Sequence, residues 1–67
     1  MIFCERFNEA LKQTTLNQKE IAEKCGIHPS CITQYKNGES EPTLETLYNL
    51  CKILNISSDY LLGLADI

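Results

Sequence analysis

Residues 16–38 read LNQKEIAEKCGIHPSCITQYKNG, and this stretch decides the fold. Its first half predicts a helix with Asn17 as N-cap, because the Asn17 amide oxygen can accept from the next turn. Glu20, three residues later, can reach back to complete a capping box. Gly26 predicts the end of this helix, since glycine readily adopts the left-handed conformation that follows many helices.

The second half of the stretch predicts another helix after a very short connection. Pro29 suits the first helical turn, where its missing N–H costs nothing, and this makes His28 the N-cap. Ile32 and Tyr35 recur at helical spacing and are expected to face inward. The Asn-Gly pair at 37–38 ends the helix, because both residues tolerate left-handed backbone conformations.

Together these two helices have the spacing of a helix-turn-helix. Ala22 must be small because the next helix crosses close to it, Gly26 permits the turn, and Ile27 fills the angle between the helices. Ile32 then faces inward. The outward face of the second of these helices carries His28, Pro29, Ser30, Thr33 and Gln34.

Apolar periodicity predicts three further helices. The first runs from about Phe3 to Gln13, and its apolar face consists of Phe3, Phe7, Ala10 and Leu11. The fourth in chain order begins after Thr43, and its apolar stripe consists of Leu44, Leu47, Leu50, Cys51 and Leu54. The fifth is short, with Ser57 or Ser58 as its cap, and its buried face consists of Tyr60, Leu61 and Leu64. No segment alternates with period two, so we expect an all-α, five-helix bundle.

Length and charge exclude several classes of function. The chain has 67 residues, which fits one domain over residues 1–67 and leaves little material for a two-layered catalytic pocket. It has one His and no paired carboxylates at a plausible cleft, so no catalytic residues are predicted. Without a long apolar run or a secretory signal, we expect a cytoplasmic protein with no membrane partner. The net charge of -3 means that any DNA binding must come from local geometry.

The four cysteines allow alternative interpretations. They fall inside helical patterns, which favours reduced thiols over a disulfide framework. Cys25, His28 and Cys31 have a spacing that could hold zinc if Cys4 or Cys51 supplied a fourth ligand. The alternative is that Cys25 and Cys51 are small core hydrophobes, and we predict no metal and no cofactor. A redox role for Cys31 is a further alternative, because the first turn of a helix favours thiolate.

Three segments of the sequence form a recognisable set: LNQKEIAEKCGI at 16–27, ITQYKNG at 32–38 and PTLETL at 42–47. With these segments the chain resembles the Cro/CI-type helix-turn-helix family, also called the XRE family, of phage and bacterial transcriptional regulators. The resemblance covers nearly the whole chain and implies a compact bundle of the lambda-repressor-like DNA-binding type. It also implies that the protein is a transcriptional regulator that binds double-stranded operator DNA as a homodimer through its third helix. We expect this regulator to be a repressor.

The resemblance implies roles for individual residues. Gln18 matches the family's glutamine that hydrogen-bonds phosphate, and Asn37 matches the family's Asn-Gly that approaches the sugar-phosphate backbone. The expected phosphate contacts are Asn17, Gln18, Lys19, Lys36 and Asn37. The expected base contacts are His28, Pro29, Ser30, Thr33 and Gln34. A Gln34 amide can pair bidentately with adenine, and Pro29 can pack on a thymine methyl.

The sequence departs from the family pattern at two places. Many phage repressors pair an arginine in the first helix with a glutamate before Asn-Gly, and here those positions hold Leu11 and Lys36. We expect an apolar contact in place of the ion pair, with Lys36 free to approach phosphate. The loop after Gly38 carries Glu39 and Glu41 where many relatives have basic residues, which disfavours high affinity.

The dimer is expected to form at the end of the bundle, because relatives of this length use that end and its apolar residues otherwise lack a partner. The expected dimer residues are Asn55, Ile56, Ser57, Ser58, Tyr60, Leu64 and Ile67.

An alternative to operator binding is a protein-interaction function. The same fold in an acidic chain could hold a protein partner, as an antitoxin or a phage-encoded modulator would, with weak or no DNA binding.

Overall fold

The computed structural model describes residues 2–66 and contains five helices. They are α1 (Ile2–Gln13), α2 (Gln18–Cys25), α3 (Pro29–Asn37), α4 (Leu44–Leu54) and α5 (Ser58–Leu62). Residues 2–66 include no strand, and no helix among them is long and apolar enough to span a membrane. The all-α, five-helix fold predicted from the sequence is therefore confirmed.

The start of α2 has the capping box that the sequence predicts. Asn17 Oδ1 accepts from the Glu20 backbone N–H at 2.8 Å, and a Glu20 carboxylate oxygen accepts from the Asn17 N–H at 3.0 Å. The helix ends at Gly26, which has a φ of 71°. Both ends of α2 are thus fixed by residues within or next to the helix.

The start of α3 depends on an unusual cap. His28 Nδ1 accepts a hydrogen bond from the Ser30 backbone N–H at 3.1 Å and lies 2.9 Å from Ser30 Oγ. A ring nitrogen that accepts from N–H carries no proton, so the imidazole proton of the neutral ring is on Nε2. Pro29 occupies the first helical position. His28 therefore fixes the start of α3 and directs its Nε2–H away from the helix.

The core is formed where all five helices meet. α1 packs against α3 and α5, α2 against α3 and α4, and α4 against α5. The fully buried side chains of the largest size are Phe7, Ile21, Ile32, Leu50 and Leu61. The rings of Phe3 and Phe7 stack with centroids 5.4 Å apart, and the Tyr35 ring meets both edge-on at about 6 Å. This aromatic cluster attaches α1 to α3.

Two apolar residues predicted to be buried are exposed. Leu44 is 85% exposed, because it is the first residue of α4 and the inward position there belongs to Thr46. Two residues along a helix are about 200° apart around its axis, so burial of Thr46 turns Leu44 outward. Leu64 is 75% exposed, because α5 ends at Leu62 and the left-handed Gly63 takes the chain out of the helix.

The four cysteines are free thiols in the structure. Cys25 is buried and Cys51 is half-buried, and burial raises the pKa of both thiols, as expected for cysteines that act as small hydrophobes. Cys4 and Cys31 are half-buried. Within residues 2–66, no group of three His, Cys, Asp or Glu side chains lies together as metal ligands would.

The His28 cap leads to a stability prediction. His28→Ala leaves the Ser30 N–H without its acceptor and should lower the free energy of unfolding by about 0.5–2 kcal/mol. His28→Asn supplies a strong N-cap and should retain the wild-type value. Urea denaturation followed by far-ultraviolet circular dichroism measures both variants. Equal stability of all three chains would show that His28 does not cap α3.

Candidate nucleic-acid interface

The helix-turn-helix predicted from residues 16–38 is present. Ala22 and Ile32 have no exposed surface, and α2 packs directly against α3. The turn closes with hydrogen bonds from the Gly26 and Ile27 N–H groups to carbonyls of the last turn of α2, the Ile27 bond to Ala22 being 3.0 Å. Ile27 is half-buried against the core. The apolar contact between α2 and α3, which includes Ala22 and Ile32 and is called the α2–α3 seam below, therefore leaves the polar side of α3 facing outward.

The five residues predicted to read bases all lie on this outward side. His28, Pro29, Ser30, Thr33 and Gln34 are exposed, whereas Ile32 and Tyr35 on the opposite side are buried. The Gln34 amide oxygen accepts a long hydrogen bond of 3.4 Å from Ser40 Oγ, a contact that the sequence did not indicate. The first two turns of α3 thus carry hydroxyl, imidazole and amide groups at the surface.

Gln18 joins α2 to α3 through its side chain. Its Nε2 donates to Thr33 Oγ1 at 3.3 Å, and its Oε1 accepts from the Lys36 ammonium at 2.8 Å. Gln18 is half-buried, while its neighbours Asn17 and Lys19 are exposed. Asn17 uses its amide oxygen in the capping box and presents its side chain beside Gln18 at the same end of α2. Gln18, predicted to bind phosphate, therefore lies next to the outward side of α3.

Lys36 differs from its prediction. The sequence indicated an ammonium free to approach phosphate, but in the structure this group is bound to Gln18 Oε1. The reason is that the Gln18 side chain lies across α3, within reach of both Thr33 and Lys36. Leu11, at the other position of the family's ion pair, is half-buried and packs against the core, as expected for an apolar replacement.

The end of α3 is also held by polar contacts. Asn37 Nδ2 donates to a Glu39 carboxylate oxygen at 3.1 Å, and Gly38 takes the left-handed conformation with a φ of 75°. Glu39 therefore accepts a specific hydrogen bond from Asn37 and also places a negative charge at this end of α3. An anion that approached Asn37 would have to compete with this carboxylate.

Sequence reasoning missed the residues that attach α1 to the end of α3. Asn8 Nδ2 donates to the Lys36 carbonyl at 2.9 Å, and Cys4 Sγ donates to the same oxygen at 2.9 Å. An asparagine inside a helix was the available signal, because its helix propensity is low and it is usually retained for a hydrogen bond. Tyr35 packs as predicted, and its burial, followed by the charges of Cys31 and Cys25, raises its pKa.

The structure brings four of the residues predicted to form a dimer together on one surface. Asn55, Ile56, Ser57 and Tyr60 line an open groove of about 840 Å³, together with residues from the end of α1. Ser58 and Leu64 are exposed but do not line this groove, and Gly63, next to Leu64, lies against Ile2 at the start of α1. The Arg6 guanidinium lies 4.5 Å from the centre of the Tyr60 ring, so one face of that ring is already covered. Ile67 lies outside the described residues.

Comparison with known proteins identifies relatives for most of the chain. A family model described as helix-turn-helix matches residues 8–61. The HTH-type transcriptional regulator YqaE of Bacillus subtilis (strain 168) is 41% identical over 61 residues, covering 91% of this chain and 53% of YqaE. The HTH-type transcriptional regulator ImmR of the same strain is 36% identical over 63 residues, covering 94% of this chain and 50% of ImmR. The chain thus spans about half the length of the curated relatives it matches.

A solved structure with the same fold is the DNA-binding domain of the P22 C2 repressor. It superposes with a TM-score of 0.83 at 32% identity, over 92% of this chain and 82% of that domain. The family and the lambda-repressor-like fold predicted from the sequence are both confirmed. By the family model, the sequence relatives and the shared fold, the chain belongs to the Cro/CI-type (XRE) helix-turn-helix family of DNA-binding transcriptional regulators.

Proposed function

We propose that the chain binds specific operator DNA by placing α3 in the major groove, and that it acts as a transcriptional repressor. The observation that carries this proposal is the division of α3 into a buried apolar side and an exposed polar side. The burial of Ile32 and Tyr35 prevents the helix from rotating, so the same polar groups always face outward. A repressor is the function named for the structural relative from P22.

The base contacts in this proposal come from His28, Pro29, Ser30, Thr33 and Gln34. Gln34 has the donor and acceptor pair that matches the N6 and N7 edge of adenine, once the long bond from Ser40 is displaced. The Nε2–H of His28 is a donor suited to guanine or thymine acceptors. The Pro29 ring is an apolar surface for a thymine methyl. Sequence preference would therefore arise in the first two turns of α3.

The phosphate contacts come from Asn17, Gln18, Lys19 and Asn37, with the charge of Lys36 behind Gln18. Such contacts fix the register of a protein on DNA without reading its sequence. Most of these groups are neutral donors, which suits a chain with a net charge of -3. Because Glu39 already binds Asn37, we expect the contact at this end of α3 to be weak.

Two substitutions distinguish contacts that recognise the base sequence from contacts that position the protein on the phosphate backbone. Gln34→Ala should cost about 1–3 kcal/mol on the preferred site and relax the sequence preference at one base position. Gln18→Ala should weaken binding to all duplexes by a similar factor, because phosphate contacts are independent of sequence. Binding-site selection on the wild-type chain supplies the preferred duplex. Fluorescence anisotropy then measures both variants on preferred and scrambled duplexes.

Asn49→Ala is a control for loss of an amide side chain, since Asn49 lies on α4, outside both the proposed DNA contacts and the groove, and should leave both affinities unchanged. If Gln34→Ala weakens preferred and scrambled duplexes equally, α3 does not read the sequence. If the wild-type chain has no preference at any salt concentration, the operator-binding proposal fails and the protein-interaction alternative replaces it.

We also propose that the chain binds DNA as a homodimer through the groove at the ends of α1, α4 and α5. The half-buried Ile56 and Tyr60 in the groove, together with the exposed Leu64 that follows α5, give apolar surface that a second copy would cover. In a two-fold dimer the same surface serves both subunits, and the two α3 helices enter major grooves about 34 Å apart. Asn55, Ser57 and Ser58 would form the polar part of the interface.

Leu64→Asp tests this surface with little risk to the fold, because Leu64 is 75% exposed. The variant should bind a single half-site as wild type does but lose the gain in affinity on a duplex with two half-sites. Leu44→Asp places the same charge on an exposed residue of α4 and should retain the gain. If Leu64→Asp keeps the full gain in affinity on a duplex with two half-sites, the dimer contact lies on another surface.

A further inference from the structure

Lys36 of α3 is hydrogen-bonded to the residue that the proposed function assigns to phosphate. Its ammonium donates to Gln18 Oε1 at 2.8 Å, and both side chains are half-buried. We infer that Lys36 is a positioning residue for DNA binding, which holds the Gln18 amide with its NH2 group directed toward phosphate. The inference rests on the proposed DNA-binding function.

The chemistry of the two groups fixes the orientation of the amide. An ammonium has three donors and no acceptor, so the Gln18 atom that faces Lys36 must be the carbonyl oxygen. Nε2 is therefore on the other side, where it donates to Thr33 Oγ1 at 3.3 Å. One of its two N–H bonds satisfies Thr33, and the second remains for an outside acceptor. Phosphate oxygens only accept hydrogen bonds, so this orientation suits them and the flipped amide would not.

Lys36 is itself fixed at its backbone. Its carbonyl oxygen accepts from Asn8 Nδ2 and from Cys4 Sγ, both on α1 and both at 2.9 Å. The ammonium end is bound to Gln18 on α2. With its backbone held by α1 and its ammonium held by Gln18, Lys36 loses little further freedom on binding, so the order that it gives to Gln18 exists before DNA arrives.

The hydrogen bonds from Lys36 to Gln18 and from Gln18 to Thr33 also reach the side of α3 that is proposed to contact bases. Thr33 accepts from Gln18, which leaves its hydroxyl hydrogen free to donate to another acceptor. Without Lys36, the Gln18 amide could flip or turn to solvent, and the Thr33 hydroxyl would lose its fixed donor. Lys36 thus acts through Gln18. A lysine in direct contact with phosphate would contribute independently of Gln18.

The first test uses the full chain without DNA. In wild type, nuclear Overhauser effects should join the Gln18 Nε2 protons to the Thr33 methyl group. Lys36→Met should remove them, and Lys36→Arg, which retains a charged donor, should keep them. Lys24→Met, which removes an exposed lysine of α2, should also keep them. Persistence of the contact in Lys36→Met would show that Lys36 does not orient Gln18.

The second test is a double-mutant cycle on the preferred duplex. Lys36→Met should weaken binding about three- to tenfold, the range expected when a side chain held in place must instead be ordered by binding. In a Gln18→Ala background the same change should cost less than about twofold, because its target is gone. Lys36→Arg should retain most of the affinity. Circular dichroism confirms that each variant is folded before it is measured.

Equal factors in the two backgrounds would contradict the inference and leave Lys36 as an independent phosphate contact. That result leaves the proposed function intact, since DNA is still bound. If the wild-type chain binds no duplex, the proposed function fails, and the inference fails with it.

Discussion

The close packing of α3 on α2 across Ala22 is the constraint on which the rest of the structure depends. Ala22 has no exposed surface, and the left-handed Gly26 brings the chain back so that Ile32 enters the same core. A larger residue at 22 would push the two helices apart, and a β-branched residue at 26 would strain the left-handed backbone of the turn. Because this seam is rigid, the direction in which α3 presents its polar side is set by the fold.

The polar contacts on the surface follow from that seam. With α2 and α3 held close together, the side chain of Gln18 can span from one helix to the other and bind both Thr33 and Lys36. From the other side, Asn8 of α1 holds the carbonyl of Lys36. The groups proposed to meet DNA are therefore connected to the core. In the proposed complex this order would compensate for a shortage of positive charge, since preorganised neutral donors lose less entropy on binding than mobile side chains do.

The sequence predicted those features whose causes are local. The capping box at Asn17 and the left-handed end at Gly26 depend on residues within one turn, and both are confirmed. Apolar spacing predicts which residues share a helix face, but not how α4 is rotated. The pattern therefore places Leu44 inward, whereas in the structure Thr46 takes that position. The bond between Lys36 and Gln18 joins residues 18 positions apart, and it depends on the helix crossing, which spacing along one chain does not describe.

The central claim is that the polar side of α3, supported by the start of α2, is the surface that meets DNA. The most direct measurement is a titration of the ¹⁵N-labelled chain with the selected operator duplex, followed by nuclear magnetic resonance. We predict that the largest shift changes occur at residues 28–34 and 17–18, with small changes on the exposed side of α4 around Tyr48. Large changes around Tyr48, with residues 28–34 unaffected, would contradict the account.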